Sequence, residues 1–196
     1  MKDVLRLRVS LVHLDPAPRR TFLIGADQSL LDLHKAIQVA FLWNDMHLWM
    51  FAIDGKTYEP RDPEHDEFII EDAIDAAMTR IGDAFREDGP PAFYTYDFGD
   101  DWTHLVEVLE RREMKPDVAL PAFLDGAFAT PPEDIGGPPM YDLFQEAIAD
   151  PKHREHAWAT EVCPVDWAPD EIHREVIETT FAGLRAKASL TRPARL

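Results

Sequence analysis

The sequence predicts an α+β fold: a single mixed or antiparallel sheet of about five to six strands, one helix packed on it early in the chain, and a helical C-terminal segment. Three observations carry that expectation. Residues 5–11 alternate, with Leu5, Leu7, Val9 and Leu11 on one side and Arg6, Arg8 and Ser10 on the other, the period of a strand with one wet face. From Ser29 the apolar residues recur at helical spacing. Strand patterns then dominate to about residue 112 and helical ones from 138 to 186, the segregation expected of α+β rather than α/β chains.

The elements follow in order. After the first strand, "DPAPRR" reads as a loop and "TFLIG" as a second short strand. Ser29 can cap a helix with Asp32 three residues on, and Leu30, Leu33, His34, Ile37 and Phe41 form its stripe, which ends near Leu42. His34 on that stripe reads as a packed, hydrogen-bonded core histidine. "MHLWMFAID" (46–54) is apolar on both faces and is expected inside a sheet covered on both sides, turning at Asp54-Gly55 into the next strand. Residues 60–92 hold a short strand around Phe68–Ile70 and a helical turn around Ala76–Phe85. Strands 93–98 and 103–110 come next, and residues 115–138 read as loop. Helices are expected from Pro139 (stripe Met140, Leu143, Phe144, Ala147, Ile148), around Lys152–Trp158, and from Pro169 to Leu184. Residues 1–190 are taken as one domain and 187–196 as a frayed tail.

Composition narrows the function classes. The 20 Lys+Arg against 37 Asp+Glu give a net charge of −17, which disfavours direct binding of nucleic acid, since that affinity rests on cations displacing counterions from phosphates. Arg6, Arg8, Arg19 and Arg20 alternate as a solvated strand face would. No apolar run approaches a membrane span, and the N-terminus lacks the apolar core of a secretory signal, so the expected location is the cytoplasm, with no membrane partner. One cysteine, Cys163, rules out an internal disulfide and reads as a small buried hydrophobe.

The chemistry-bearing residues gather in two short stretches. In "YTYDFGDDWTH" (94–104), Gly99 is the natural place for a positive φ and Asp100 can satisfy turn amides, so the segment reads as a hairpin turn. Asp97 and His104 share a face if the loop has two or four residues and lie on opposite faces if it has three. Such a pair can pin register, orient a base, or supply half a metal site. "DFG" and "GDD" also occur in kinases and RNA polymerases, but this chain has no phosphate loop or catalytic loop and too few cations for a template. In "PPEDIGG" (131–137), two glycines open a helix, and Glu133 and Asp134 beside it would repel an anion, which favours a structural turn. Trp43, Trp49 and Trp102 read as packing residues. The candidate recognition residues are therefore His47, Tyr96, Asp97, Gly99, Asp100, Asp101, Trp102, His104, Glu133 and Asp134. No cofactor is expected. A divalent metal ion is the alternative, with Asp97, Asp100 and His104 as first ligands and Asp101, His47 or Glu133/Asp134 as further ones.

"LLDLHKAIQVAFLWNDMHLWMF" (30–51), "YTYDFGDDWTHLVEVLE" (94–110) and "PPEDIGG" followed by "MY" together resemble the landmarks of the plasmid pRiA4b ORF-3-like family, some of whose members are labelled as TnpR-type passenger proteins of insertion elements. The resemblance implies one α+β domain and no established catalysis. It departs from the family where members carry Cys near "PPED" and where the closing segment reads "APDEIHREV". The first reading is a non-enzymatic binding or interaction module with a protein partner. The alternatives are a divalent-metal-dependent hydrolase using Asp97, Asp100, Asp101 and His104, and an accessory protein of DNA transposition acting through a protein partner.

Overall fold

A computed structural model of the chain describes residues 1–61, 70, 72–86 and 88–191. Its strands are β1 (Lys2–Leu11), β2 (Arg19–Gly25), β3 (Trp49–Ile53), β4 (Lys56–Glu59), β5 (Ile74–Asp75), β6 (Ala92–Tyr96), β7 (Trp102–Met114) and β8 (Ala122–Ala127). Its helices are α1 (Leu30–Phe41), α2 (Ile81–Ala84), α3 (Gly137–Ala149), α4 (His156–Val162) and α5 (Arg174–Thr191). The strands form one sheet in the order β5-β4-β3-β6-β7-β1-β2-β8, antiparallel throughout except for the β4–β5 pair. Eight strands replace the five to six expected. The additions are β5, only two residues long, and β8, which lies in a stretch read as loop. The strand expected around Phe68–Ile70 falls outside the described residues apart from Ile70, which is not in a strand.

The period-two pattern sorts the sheet into two faces. Leu5, Leu7, Val9, Phe22, Ile24, Phe51, Tyr94, Trp102 and Val106 occupy paired positions on the inner face and are all buried. The outer face is wet and laced by cross-strand ion pairs, Arg8 with Glu107 at 2.9 Å and Arg6 with Glu110 at 3.6 Å. Exposed pairs of this kind contribute at most about 1 kcal/mol each, so register is set mainly by the buried face. β3 is an interior strand as expected, but Met50 and Ala52 on its outer side are half-buried, so only one side of it is fully covered.

α1 lies on the inner face. Ser29 and Asp32 form a reciprocal capping box, and Leu42 closes the helix in the left-handed region (φ 58°). Leu30, Leu33, Ile37 and Phe41 are all fully buried. α5 packs Ile177 and Phe181 into the same core; it starts five residues later than its stripe suggested and runs to Thr191. Arg20 corrects the expectation of a solvated arginine face: it pairs with Val9, points inward and is fully buried. Its Nε donates to Ala40 O at the end of α1, and Nη1 donates to the carbonyls of Arg19, Ala127 and Phe128. Cys163 is half-buried rather than buried, and partial burial pushes its thiol pKa up.

Candidate functional site

The loops after α1, after β6 and after β8 meet at one end of the sheet. β6 and β7 pair with Tyr96 opposite Trp102 and Tyr94 opposite His104, so the hairpin loop is Asp97–Asp101, five residues long. The sequence had suggested two, three or four residues; the longer loop separates Asp97 and His104, whose pairing depended on that length. His104 falls on the inner face with no exposure, edge-on to the rings of Phe41 and Trp43. Asp97 stays in the loop. Trp102 is buried beside Trp43.

The turn is made by aspartates, not by its glycine. Asp97 and Asp101 take positive φ (57° and 53°), whereas Gly99 is not among the residues with positive φ. Asp97 Oδ1 accepts from the amides of Gly99 and Asp100, an Asx turn that fixes its carboxylate and leaves Oδ2 turned toward His47. The role expected of Asp100 thus belongs to Asp97. Asp100 instead reaches across to accept from the Gly136 amide at 2.9 Å, at the N-cap of α3. This places a carboxylate of the chain itself where a helix N-terminus favours negative charge. Asp101 accepts from Thr103 Oγ1 and is exposed, apart from the other carboxylates.

Gly137 locks the two loops together. It has a φ of 79°, and a Cβ there would lie 2.5 Å from Asp100 O. Gly137→Ala is therefore expected to destabilise by about 2–4 kcal/mol, combining left-handed strain with a backbone clash. Urea unfolding checks this; a loss below about 1 kcal/mol would show that the loops can part freely.

Glu133 is the hub of the buried side of the site. It accepts from the Asn44 amide and side chain and from Tyr96 OH, while Tyr96 OH accepts from the Met46 amide. Burial, with Glu133 next to it, drives the Tyr96 hydroxyl pKa upward, so it serves as a neutral donor. Outside this hub, His47 Nε2 lies 2.9 Å from Asp134 Oδ1 and 3.7 Å from Asp97 Oδ2. His47, Asp97 and Asp134 can each offer one ligand atom, all within 4.8 Å of one another. Of the first metal ligands expected from the sequence, only Asp97 belongs to this set; His47 and Asp134 come from the further ligands it offered. Asp100 is committed to Gly136, and His104 lies in the core.

A second polar network runs beneath the site. His34 Nδ1 contacts Tyr94 OH at 2.8 Å and Nε2 contacts Asp45 at 2.7 Å, with the ring stacked on Trp49 at 4.0 Å. Gln38 donates to the same Tyr94 hydroxyl and accepts from the Asp45 amide. His34 is thus the bonded core histidine its position suggested. Asn44, Asp45 and Gln38 were not singled out from the sequence; "WND" carries no signal beyond a loop after a helix. A groove of about 440 Å³ lined by Gln38, Trp43, Asn44, Asp45, Pro121 and Leu184 adjoins this network.

Residues 3–176 match the family model described as plasmid pRiA4b ORF-3-like protein. The chain belongs to the plasmid pRiA4b ORF-3-like family. An uncharacterized protein, y4hQ of Sinorhizobium fredii, is 35% identical over 162 residues, covering 82% of this chain and 81% of that protein. The crystal structure of MM3350, a protein of unknown function from Methanosarcina mazei Go1, is similar with a TM-score of 0.79 and 27% identity, covering 87% of this chain and 95% of the other. The three segments that resemble the pRiA4b ORF-3-like landmarks map onto α1 through β3, the β6–β7 hairpin and the turn into α3, the three places that build the site. Among the described residues no helix is long and apolar enough to cross a membrane.

Proposed function

We propose that this member of the family is a non-enzymatic binding module, and that the end of the sheet bearing His47, Asp97 and Asp134 recognises a basic, partly apolar segment of a protein partner. The observation that carries this reading is the company the carboxylates keep. Met46, Leu48 and Phe98 are 75%, 43% and 44% exposed and immediately flank His47 and Asp97 in the chain. Leu48 O accepts from the Asp97 amide, which brings the two loops side by side. Large apolar side chains left in water beside fixed negative charge suit a ligand carrying both cations and apolar groups. The net charge of −17 adds attraction for such a ligand at long range. The groups with the most perturbed chemistry, Tyr94 and His104, are sealed in the core and cannot reach a substrate.

The test is fluorescence anisotropy in EDTA with labelled peptides that interleave Lys or Arg with Leu or Phe, against charge-reversed versions. Micromolar binding is expected, weakening at least tenfold between 50 and 300 mM salt and in Phe98→Ser or Met46→Ser. Equal binding of the acidic peptides, or unchanged affinity in both variants, would sink the reading. Turnover in a hydrolase substrate panel that disappears in Asp97→Asn would replace it with an enzyme.

A further inference from the structure

We propose that His47, Asp97 and Asp134 form a binding site for one divalent transition-metal ion, of the manganese, iron, cobalt or zinc class. This rests on the reading of that end of the sheet as a binding surface only for its location, and it assigns the surface an inorganic component.

The donor set is one imidazole nitrogen with two carboxylate oxygens. That mixture suits borderline divalent ions better than magnesium or calcium, which favour oxygen alone. The geometry is close to what an ion requires. Ligand atoms about 2.1 Å from a common ion lie roughly 3.0–3.4 Å apart, and the two nitrogen–oxygen separations here are 2.9 and 3.7 Å. The two carboxylate oxygens lie within 4.8 Å of each other, and an ion between them would draw the pair together.

A second observation points the same way. His47 Nε2 is shut off from solvent, yet it makes no aligned hydrogen bond, although a carboxylate oxygen is 2.9 Å away. That ring nitrogen is short of an aligned partner and has two carboxylate oxygens near it. An ion there would satisfy it and neutralise two like charges at once.

The scaffold holds the donors in place without the ion. Asp97 is pinned through its other oxygen by two amides, and its loop is joined to that of Asp134 through Asp100 and Gly136. Three protein ligands leave at least one coordination position open toward solvent, where a partner's side chain or water can bind.

Isothermal titration and Mn(II) electron paramagnetic resonance on EDTA-stripped protein test the proposal, with manganese, cobalt and zinc added singly. One ion per chain is expected, with affinity falling at least tenfold in His47→Gln, Asp97→Asn and Asp134→Asn. Asp101→Asn, on the same hairpin but outside the set, should bind as the parent does. Asp97→Asn keeps an oxygen for the turn amides but removes the charge that strengthens those bonds; Asp134, whose side chain is 73% exposed, gives a variant outside that turn. No binding of any of the three ions up to 1 mM overturns the proposal, as does binding that Asp134→Asn and His47→Gln leave unchanged. The peptide measurements are made in EDTA, so either result stands without the other.

Discussion

Arg20→Met is expected to destabilise the protein by about 3–5 kcal/mol, a larger effect than the one expected at Gly137. The guanidinium is fully buried and pairs with no carboxylate among the described residues. Burial pushes its pKa down to about 10, so it remains charged at neutral pH. What makes the buried charge tolerable is a shell of backbone oxygens. Ala40 O lies at the C-terminal end of α1, where the helix dipole is negative, and Ala127 O and Phe128 O lie at and just past the end of β8, which pairs with β2. Phe41 lies under the guanidinium, 5.1 Å from ring centroid to Cζ. Methionine fills much of the stem's volume but leaves those carbonyls without donors in a dry interior, the expensive half of breaking a hydrogen bond. Arg20→Lys keeps the charge and loses the fork, so a smaller loss is expected. Urea midpoints for the two variants decide it; a loss below about 1 kcal/mol in Arg20→Met would mean that water reaches those carbonyls.

The second large effect is on pH. Burial lowers the His104 pKa to about 3, and it lowers that of His34 as well, with the hydrogen bond to Asp45 opposing in part. Both rings are neutral when folded near pH 7, whereas the unfolded chain takes up protons near the ordinary histidine value of about 6.5. Stability from His104 is therefore complete above about pH 6.5 and is lost as pH falls toward about 3, at close to 1.4 kcal/mol per pH unit. His34 adds loss in the same direction. Urea unfolding between pH 7 and 4.5 should show this slope, and His104→Gln should reduce it by about one proton's worth. An identical slope in the variant would place the acid sensitivity elsewhere.

Arg20 and His104 also mark how far the sequence could be read. The strand period of β1 and the capped helix α1 were legible because each expresses a local rule, alternation in one case and Ser29 with Asp32 in the other. Arg20 broke the alternation rule by pointing a charge inward, and nothing local announces the carbonyls that receive it. β8 was hidden for a related reason. Its "FLDGA" looks like a turn, but Gly126 sits opposite Arg20, where a Cβ would come within 3.0 Å of the arginine stem. The glycine is there to make room, not to bend the chain. At the site, the sequence indicated the three loops and most of the side chains. It left the Asp97–His104 pairing open because register depends on loop length, and a five-residue turn built on aspartates with positive φ looks no different from a shorter one built on Gly99. The approach of His47 to Asp134, 87 positions apart in the chain, depends on the fold as a whole.

The strand order carries a consequence for how the chain comes to be folded. β1 begins at the second residue and lies in the middle of the sheet, where its ten residues pair with β7 from Lys2 opposite Met114 to Leu11 opposite His104. During synthesis β1 and β2 can form a hairpin early, but the other edge of β1 has no partner until about ninety further residues have emerged. At ordinary translation speeds that interval is on the order of ten seconds. A central strand joined so late raises the mean sequence separation of contacts, which slows folding toward the millisecond-to-second range. Through that interval the backbone edge of β1 that will meet β7 is unpaired, on a strand whose inner face carries Leu5, Leu7, Val9 and Leu11, so the nascent chain is most prone to aggregate before β7 arrives.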